Sequence, residues 1–352
     1  MNRKGKAVSG IESPVTNTVP DSLNGHPWGV LIPWDQQVRE DTLAVIDRAC
    51  PPGSRLHDPV RAIVTTALQQ QGPLSNRLFA LAVLGAISGN PAPAVPVAVA
   101  STLWFAGTEA LDDLVDAAPG DHGSAHELLI GGVLCLGVLP EAAVEGPGVP
   151  AELARGWRRD LGWSTVAAGA GQLDDTARDS EALTWERVMR AYTGKTGAGY
   201  GRDARMAARA AVTDPRALEA WTVLGQLLGV LRQVHNDNAD VTPETDEDLA
   251  NGTPTLLLAH ALASADPRER NRMHTLRTAA RADLTARAEL RALLHCPPVV
   301  DGYRRRVGAL HSRARNLLDH LADASPYRDA IGNRIDQSAL LGMPEPAGAG
   351  SE

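Results

Sequence analysis

Apolar residues recur at i, i+3 and i+4 along almost the whole chain, and few stretches alternate Val, Ile or Thr with polar residues. That period collects apolar side chains on one face of a helix, so the fold class is all-α. The spacing predicts helices over Trp34–Cys50, Pro59–Gln70, Asn76–Ile87, Val95–Ala117, Ala125–Val138, Pro150–Arg159 and Trp163–Leu173. It continues with Ser180–Thr193, Arg202–Val212, Pro215–Asp240, Thr255–Ser264, Pro267–Arg277, Asp283–Leu294 and Asp301–Ala322. Breakers such as Pro51-Pro52-Gly53, Gly72-Pro73, Gly89-Asn90-Pro91 and Pro119-Gly120 separate them. No internal repeat or inter-domain linker is visible, so the expectation is one helical bundle domain.

A chain of 352 residues can bury one large core or two modest ones. Ala and Leu dominate the apolar residues, with only two Phe and four Tyr beside seven Trp. A net charge of -8 argues against a general binder of nucleic acid or anionic membranes. Cys50, Cys135 and Cys296 are too widely spaced for a zinc site or disulfide framework, which points to the reducing cytoplasm. Residues 1–26 and 344–352, rich in Gly, Ser, Pro and Asn, are expected to be disordered tails, and neither contains a signal peptide. The apolar runs break before the roughly 18–20 residues a bilayer span requires, so no membrane span is expected.

The stretch from Thr102 to Asp116 has the strongest chemistry. It is an apolar helix ending in Asp112, Asp113 and Asp116, with Asp112 and Asp116 one turn apart on a face shared with Thr108, Phe105 and Trp104. Crowded carboxylates repel unless a hard cation lies among them, and Mg2+ uses one or two carboxylates with substrate phosphate oxygens. A solvated helix end is the competing explanation. Downstream, Asn236 and Asp240 share a face at the end of a second long helix, with Glu244 a further step along. All are oxygen donors. Carboxylates at a helix C-terminus oppose its dipole, which favours a compensating cation.

Gln233-Val-x-Asn236-Asp237-x-x-Asp240, followed by Asp248-Leu-Ala-Asn-Gly-Thr253-Pro-Thr255-Leu, resembles the second Asp-rich motif of the trans-isoprenyl diphosphate synthase (polyprenyl synthetase) family. Leu111 to Asp116 is similar to the first motif, and Tyr192-Thr-Gly-Lys195-Thr196 to the family's Lys-Thr helix break. Leu321 to Arg328 resembles the C-terminal helix, and the matches run in order over about residues 55–335. The resemblance implies an isoprenoid synthase-like bundle around a central cavity over residues 27–343, and a homodimer. It also implies a trinuclear Mg2+ cluster on Asp112, Asp116, Asn236, Asp240 and Glu244, with Asp113 beside it. Lys195 and Gln233, with Arg190, Arg232 and Arg328, would then hold the diphosphate.

The departures carry as much information. Elongating members have a Gly-Gly-Lys-Arg-x-Arg-Pro segment and an Arg pair after the first motif, both of which bind the diphosphate of isopentenyl diphosphate. Here the corresponding stretches read Gln71-Gly-Pro-Leu-Ser-Asn-Arg77 and Ala117-Ala-Pro-Gly-Asp121-His122. Thr253 replaces the motif lysine, and Asn236-x-x-x-Asp240-x-x-x-Glu244 resembles the metal motif of class I terpene cyclases. The expectation is therefore ionisation of a C15 or C20 allylic diphosphate, C20 preferred, and cyclisation to a terpene. The alternative is prenyl transfer to isopentenyl diphosphate or another acceptor. Phe79, Trp104, Phe105, Thr108, Trp185, Tyr192 and Trp221 are candidates to line a dry pocket, against ordinary core packing for each aromatic. Gly107 and Thr108 are small where elongating relatives place a bulky pocket floor. His235 is expected as a structural hydrogen-bonding group.

Overall fold

The computed structural model describes residues 28–70, 76–116, 125–176, 183–239 and 247–340, and every regular element among them is helical. In order these are α1 (Ile32–Ala49), α2 (His57–Gln70), α3 (Phe79–Ser88), α4 (Val95–Asp116), α5 (Ala125–Leu136), α6 (Val138–Val144), α7 (Ala151–Thr176) and α8 (Trp185–Tyr192). Then come α9 (Ala198–Arg209), α10 (Pro215–Ala239), α11 (Glu247–Asn251), α12 (Leu256–Ser264), α13 (Pro267–Ala279), α14 (Leu284–Leu294), α15 (Pro297–Leu321) and α16 (Pro326–Ala339). The expected tails, the Gly72-Pro73 break, Asp121, His122, Asp240 and Glu244 lie outside the described residues.

Local chemistry sets several of these bounds. Gly89 closes α3 with φ 76° and donates its N–H to the carbonyl of Gly85. Asn90 Oδ1 then accepts from the N–H of Ala92 and starts the turn into α4. Thr184, Thr255 and Asp266 cap α8, α12 and α13 through their side-chain oxygens, and Pro267 follows at the first helical position. Two expectations change. The pieces 150–159 and 163–173 are one 26-residue helix, α7. A single Gly162 costs only about 1 kcal/mol of helix propensity, less than the burial of Trp157 and Leu161 on the same helix returns. The 125–138 helix breaks at Gly137 and resumes as α6.

The chain divides into two units, each assembled from segments distant in sequence. One comprises Met1–Thr165, Gly199–Gly225 and Leu318–Asn333; the other comprises Val166–Ala198, Gln226–Leu317 and Arg334–Glu352. In the first, α4 packs against α1, α2, α3, α5 and α6, and Val97, Ala98, Leu103, Trp104 and Ala106 are buried along it. In the second, α12 packs on α8, α13 and α14, with Leu256, Leu257, Leu258 and Leu262 buried.

Ala92–Leu114 and Ala125–Val144 are long and apolar enough to cross a membrane by length and composition, contrary to the expectation of interrupted runs. The first is 78% buried within the protein, as a core helix is, and the second 39%. All three cysteines are free. Burial pushes the Cys135 thiol up to about 12.

Gly107 does not floor a pocket. A Cβ there would lie 2.9 Å from the carbonyl oxygen of Gly132 and from the amide nitrogen of Leu136, so its smallness lets α4 and α5 touch backbone to backbone. Gly107→Val is therefore expected to lower unfolding free energy by about 1–3 kcal/mol in urea titrations, with helical circular dichroism retained.

Candidate functional site

The Lys-Thr break is a π-helical turn, Thr193–Gly197, between α8 and α9. Such turns recur at functional positions because an inserted residue redirects side chains. Here two close approaches hold it. A Cβ on Gly171 of α7 would fall 2.2 Å from the Lys195 amide nitrogen, and one on Gly229 of α10 would fall 2.7 Å from the Gly197 Cα. No larger residue fits either position without moving the turn.

The turn's side chains are engaged. Lys195 Nζ donates to Asp175 Oδ2 at 3.0 Å. Thr196 Oγ1 donates to Gln233 Oε1 at 2.6 Å, and Gln233 Nε2 donates to Asp237 Oδ1 at 2.8 Å. The Tyr192 hydroxyl donates to Asp237 Oδ2 and accepts from the Leu256 N–H at 3.2 Å. Lys195 and Gln233, both expected to meet a diphosphate, are thus both engaged at the π turn, Lys195 by Asp175 and Gln233 by Thr196 and Asp237. Sequence reasoning assigns no role to either carboxylate, Asp175 or Asp237. Tyr192, expected as a pocket wall, is buried and acts through its oxygen.

Of the expected metal ligands, Asp112 is half-buried on α4, Asp113 exposed, and Asn236 exposed near the end of α10. Asp116 ends α4, but its side chain, with Asp240 and Glu244, lies outside the described residues. Among the described residues no group of three or more His, Cys, Asp or Glu side chains is arranged to hold a metal. The donors that are described, a carboxylate and a carboxamide, are the oxygen ligands a hard cation such as Mg2+ takes. Asp113 borders a cavity. With Glu109 and Glu127 it lines a cleft of about 260 Å3 between α2, α4 and α5.

Phe79, Trp104 and Phe105 come together with Tyr200, which the sequence did not single out. Trp104 and Phe105 meet edge to face at 5.1 Å, and Phe105 and Tyr200 at 5.8 Å. The Arg202 guanidinium lies over the Trp104 ring at 4.3 Å, and Trp104 Nε1 donates to Thr165 Oγ1 at 2.9 Å. Arg202 also reaches Asp203 Oδ1 through Nε at 2.9 Å and Nη2 at 2.7 Å. Burial pushes the Asp203 carboxyl up, while Arg202 and the Ser101 hydroxyl, 2.5 Å away, pull it back. Arg306 covers the Trp185 ring at 4.3 Å in the same way. Each of these tryptophans therefore carries a guanidinium over one of its two ring faces. Trp221 is buried core, and Thr108 bonds the Phe105 carbonyl.

The candidate arginines differ in their commitments. Arg328 pairs with Asp319, Arg190 is exposed and Arg232 is half-buried. His235 Nδ1 lies 3.0 Å from the Leu340 carbonyl oxygen, the structural role expected for it. Arg77, from the early segment, has a fully buried side chain and pairs with Asp35 at 2.5 Å.

The fold is that of the isoprenoid synthases. The Polyprenyl synthetase family model matches residues 162–294, which include the π turn and the end of α10. Comparison with curated proteins gave no match. Among solved structures, the chain is similar to geranylgeranyl pyrophosphate synthetase from Pyrococcus horikoshii, at 18% identity and a TM-score of 0.75 over 89% of this chain and 99% of that one. A geranylgeranyl pyrophosphate synthase from Corynebacterium glutamicum, complexed with isoprenyl diphosphate and magnesium, gives 19%, 0.75, 88% and 99%. A decaprenyl diphosphate synthase from Rhodobacter capsulatus gives 16%, 0.74, 91% and 99%.

Removing the Arg202 guanidinium would leave Asp203 buried without its cation. Arg202→Ala is expected to cost about 3–5 kcal/mol, read by chemical denaturation, because an unpaired buried charge is far worse than none.

Proposed function

We propose that the chain binds an allylic prenyl diphosphate, breaks its carbon–oxygen bond and transfers the prenyl group to an acceptor. The bonding pair leaves on the diphosphate oxygen, the acceptor's electrons capture the allylic carbon, and a proton lost from the adduct restores neutrality. The observation that carries the reading is the π turn, which presents Lys195 and Thr196 at the end of α8, with Lys195 held by Asp175 and Thr196 by Gln233. A fixed ammonium there supplies positive charge where negative charge develops, without reorganisation during the reaction. Asp112, Asp116, Asn236, Asp240 and Glu244 are the residues that would hold Mg2+, with Asp113 beside them, and bound Mg2+ supplies Lewis-acid neutralisation of the leaving group. Arg190 and Arg232 remain candidates for further phosphate contacts.

Prenyl transfer is favoured over cyclisation by two observations. The solved structures of similar fold are named as prenyl diphosphate synthases. Trp104 and Trp185, the aromatic faces a cyclase would use, are engaged by arginines. Cyclisation is the second reading, and a specific observation favours it. Arg77 is locked onto Asp35 in the core, and no arginine follows Asp116 in the positions that bind a second diphosphate. An acceptor without a diphosphate reconciles both sets of observations.

Incubation with Mg2+ and geranyl, farnesyl or geranylgeranyl diphosphate, together with isopentenyl diphosphate, with an uncharged nucleophile such as an indole or a phenol, or with neither, tests this directly. Release of diphosphate only when an acceptor is added supports transfer; cyclic product without one overturns it in favour of cyclisation. Asp112→Ala and Asn236→Ala are each expected to lower turnover by about 100-fold or more with helical content intact. Normal turnover in both would move the site elsewhere.

We further propose a homodimer. Leu129, Ile130 and Val133 share one face of α5 and are 46%, 50% and 55% exposed, an apolar strip that a second copy would cover. Sedimentation is expected to give a dimer for the native protein and a monomer for Ile130→Glu combined with Val133→Glu.

A further inference from the structure

We infer that Asp237 is a positioning carboxylate that fixes the π turn bearing Lys195 against the start of α12, and that it is not a metal ligand. The inference rests on the diphosphate reading of Lys195, and it assigns a residue that the reading leaves without a role. Asp237 is 7% exposed, whereas its neighbour Asn236 is exposed. Both of its oxygens accept from neutral donors, Oδ1 from Gln233 Nε2 at 2.8 Å and Oδ2 from the Tyr192 hydroxyl. Each donor is itself anchored further out. Gln233 Oε1 takes the Thr196 hydroxyl at 2.6 Å, inside the π turn. The Tyr192 oxygen takes the Leu256 N–H at 3.2 Å, the first residue of α12. One carboxylate therefore joins three backbone segments: the turn at 193–197, the last turns of α10 and the entry to α12.

The surroundings fit that task better than metal ligation. A ligand carboxylate must be reached by the ion, whereas Asp237 is 7% exposed and each of its oxygens already accepts from a side-chain donor inside the protein. Its charge is felt locally too. Burial first, and then Asp237, push the neighbouring Tyr303 hydroxyl up, so that tyrosine stays neutral and bonds Asn238. A network satisfied at every link holds a single geometry, and loss of one link strands buried partners.

Three variants of the full-length chain test the inference: Asp237→Asn, Asp237→Leu and Tyr192→Phe. An asparagine oxygen still takes the Tyr192 hydroxyl. If the Gln233 amide turns over, its oxygen takes the new N–H and its amino group meets Thr196 Oγ1. Asp237→Asn is thus expected to keep kcat within about threefold and the half-saturating Mg2+ concentration unchanged. Asp237→Leu and Tyr192→Phe are expected to raise KM for geranylgeranyl diphosphate about tenfold or more, with a smaller fall in kcat. Hydrogen exchange gives a readout independent of turnover. The Leu256 amide and residues 193–197 should exchange faster in Asp237→Leu and Tyr192→Phe, but not in Asp237→Asn. A tenfold rise in the Mg2+ requirement of Asp237→Asn, with exchange unaltered, makes Asp237 a metal ligand and overturns the inference. If native protein releases no diphosphate from any allylic substrate, the proposed function fails. Exchange then decides alone: faster exchange in Tyr192→Phe supports the latch, and equal exchange in every variant overturns it. Should Asp237→Leu not fold, Tyr192→Phe carries the comparison.

Discussion

Helices in this protein meet at the backbone, and the rest of its geometry follows from that. Gly107 of α4 meets Gly132 and Leu136 of α5, and a Cβ on Gly225 of α10 would fall 2.3 Å from the Tyr200 carbonyl oxygen of α9. In the other unit Gly171 meets Gly194, and Gly229 meets Gly197. Contacts this short fix the register of two helices to one residue, because a shift brings a side chain into a gap too narrow for a methyl group. They also explain how a chain with few Phe and Tyr residues packs densely. Alanine and glycine bring the helices close, and tryptophans fill what remains.

The π turn is a consequence of the same constraint. An α-helix running unbroken from α8 into α9 would place different residues against Gly171 and Gly229. The inserted residue lets the Gly194 and Gly197 backbone fill those gaps and turns Lys195 toward Asp175. The close approaches hold the backbone of the turn, and Asp175 and Gln233 hold the Lys195 and Thr196 side chains in place. Preorganisation matters for charge stabilisation, since a donor already in place need not be reordered as the leaving group departs.

Much of this was legible in the chain. Helical period and breaker residues placed α4 and α10 to within a residue at each end, and motif spacing led to the Lys-Thr turn. What was not legible depends on tertiary neighbours. Face arithmetic groups Asn236 with Asp240, and nothing in it says that Asp237 turns inward to a tyrosine forty-five positions earlier. Gly107 reads as an open pocket floor until α5 is found lying on it. Trp104 and Trp185 read as cation-stabilising walls, and nothing in their spacing says that Arg202 and Arg306 lie over their rings. In α7, the stretch ending at Gly162 looks like a break between two short helices, and burial along the helix keeps it whole.

The distribution of cationic side chains argues about the acceptor. Arg77 is spent on Asp35 and Arg328 on Asp319, while Arg202 and Arg306 lie against tryptophans. Moving Arg77 out to meet a second diphosphate would leave Asp35, itself largely buried, with less countercharge. An uncharged acceptor asks for none of this. Its binding draws on apolar burial, at about 25 cal/mol per Å2, which a helical interior rich in alanine and leucine supplies. In the transfer proposed above, a site that kept cations for the leaving group and offered apolar surface to the acceptor would separate the two demands of the reaction. It would also account for a chain whose 192–196 and 233–240 stretches resemble the allylic motifs while residues 71–77 carry a single arginine.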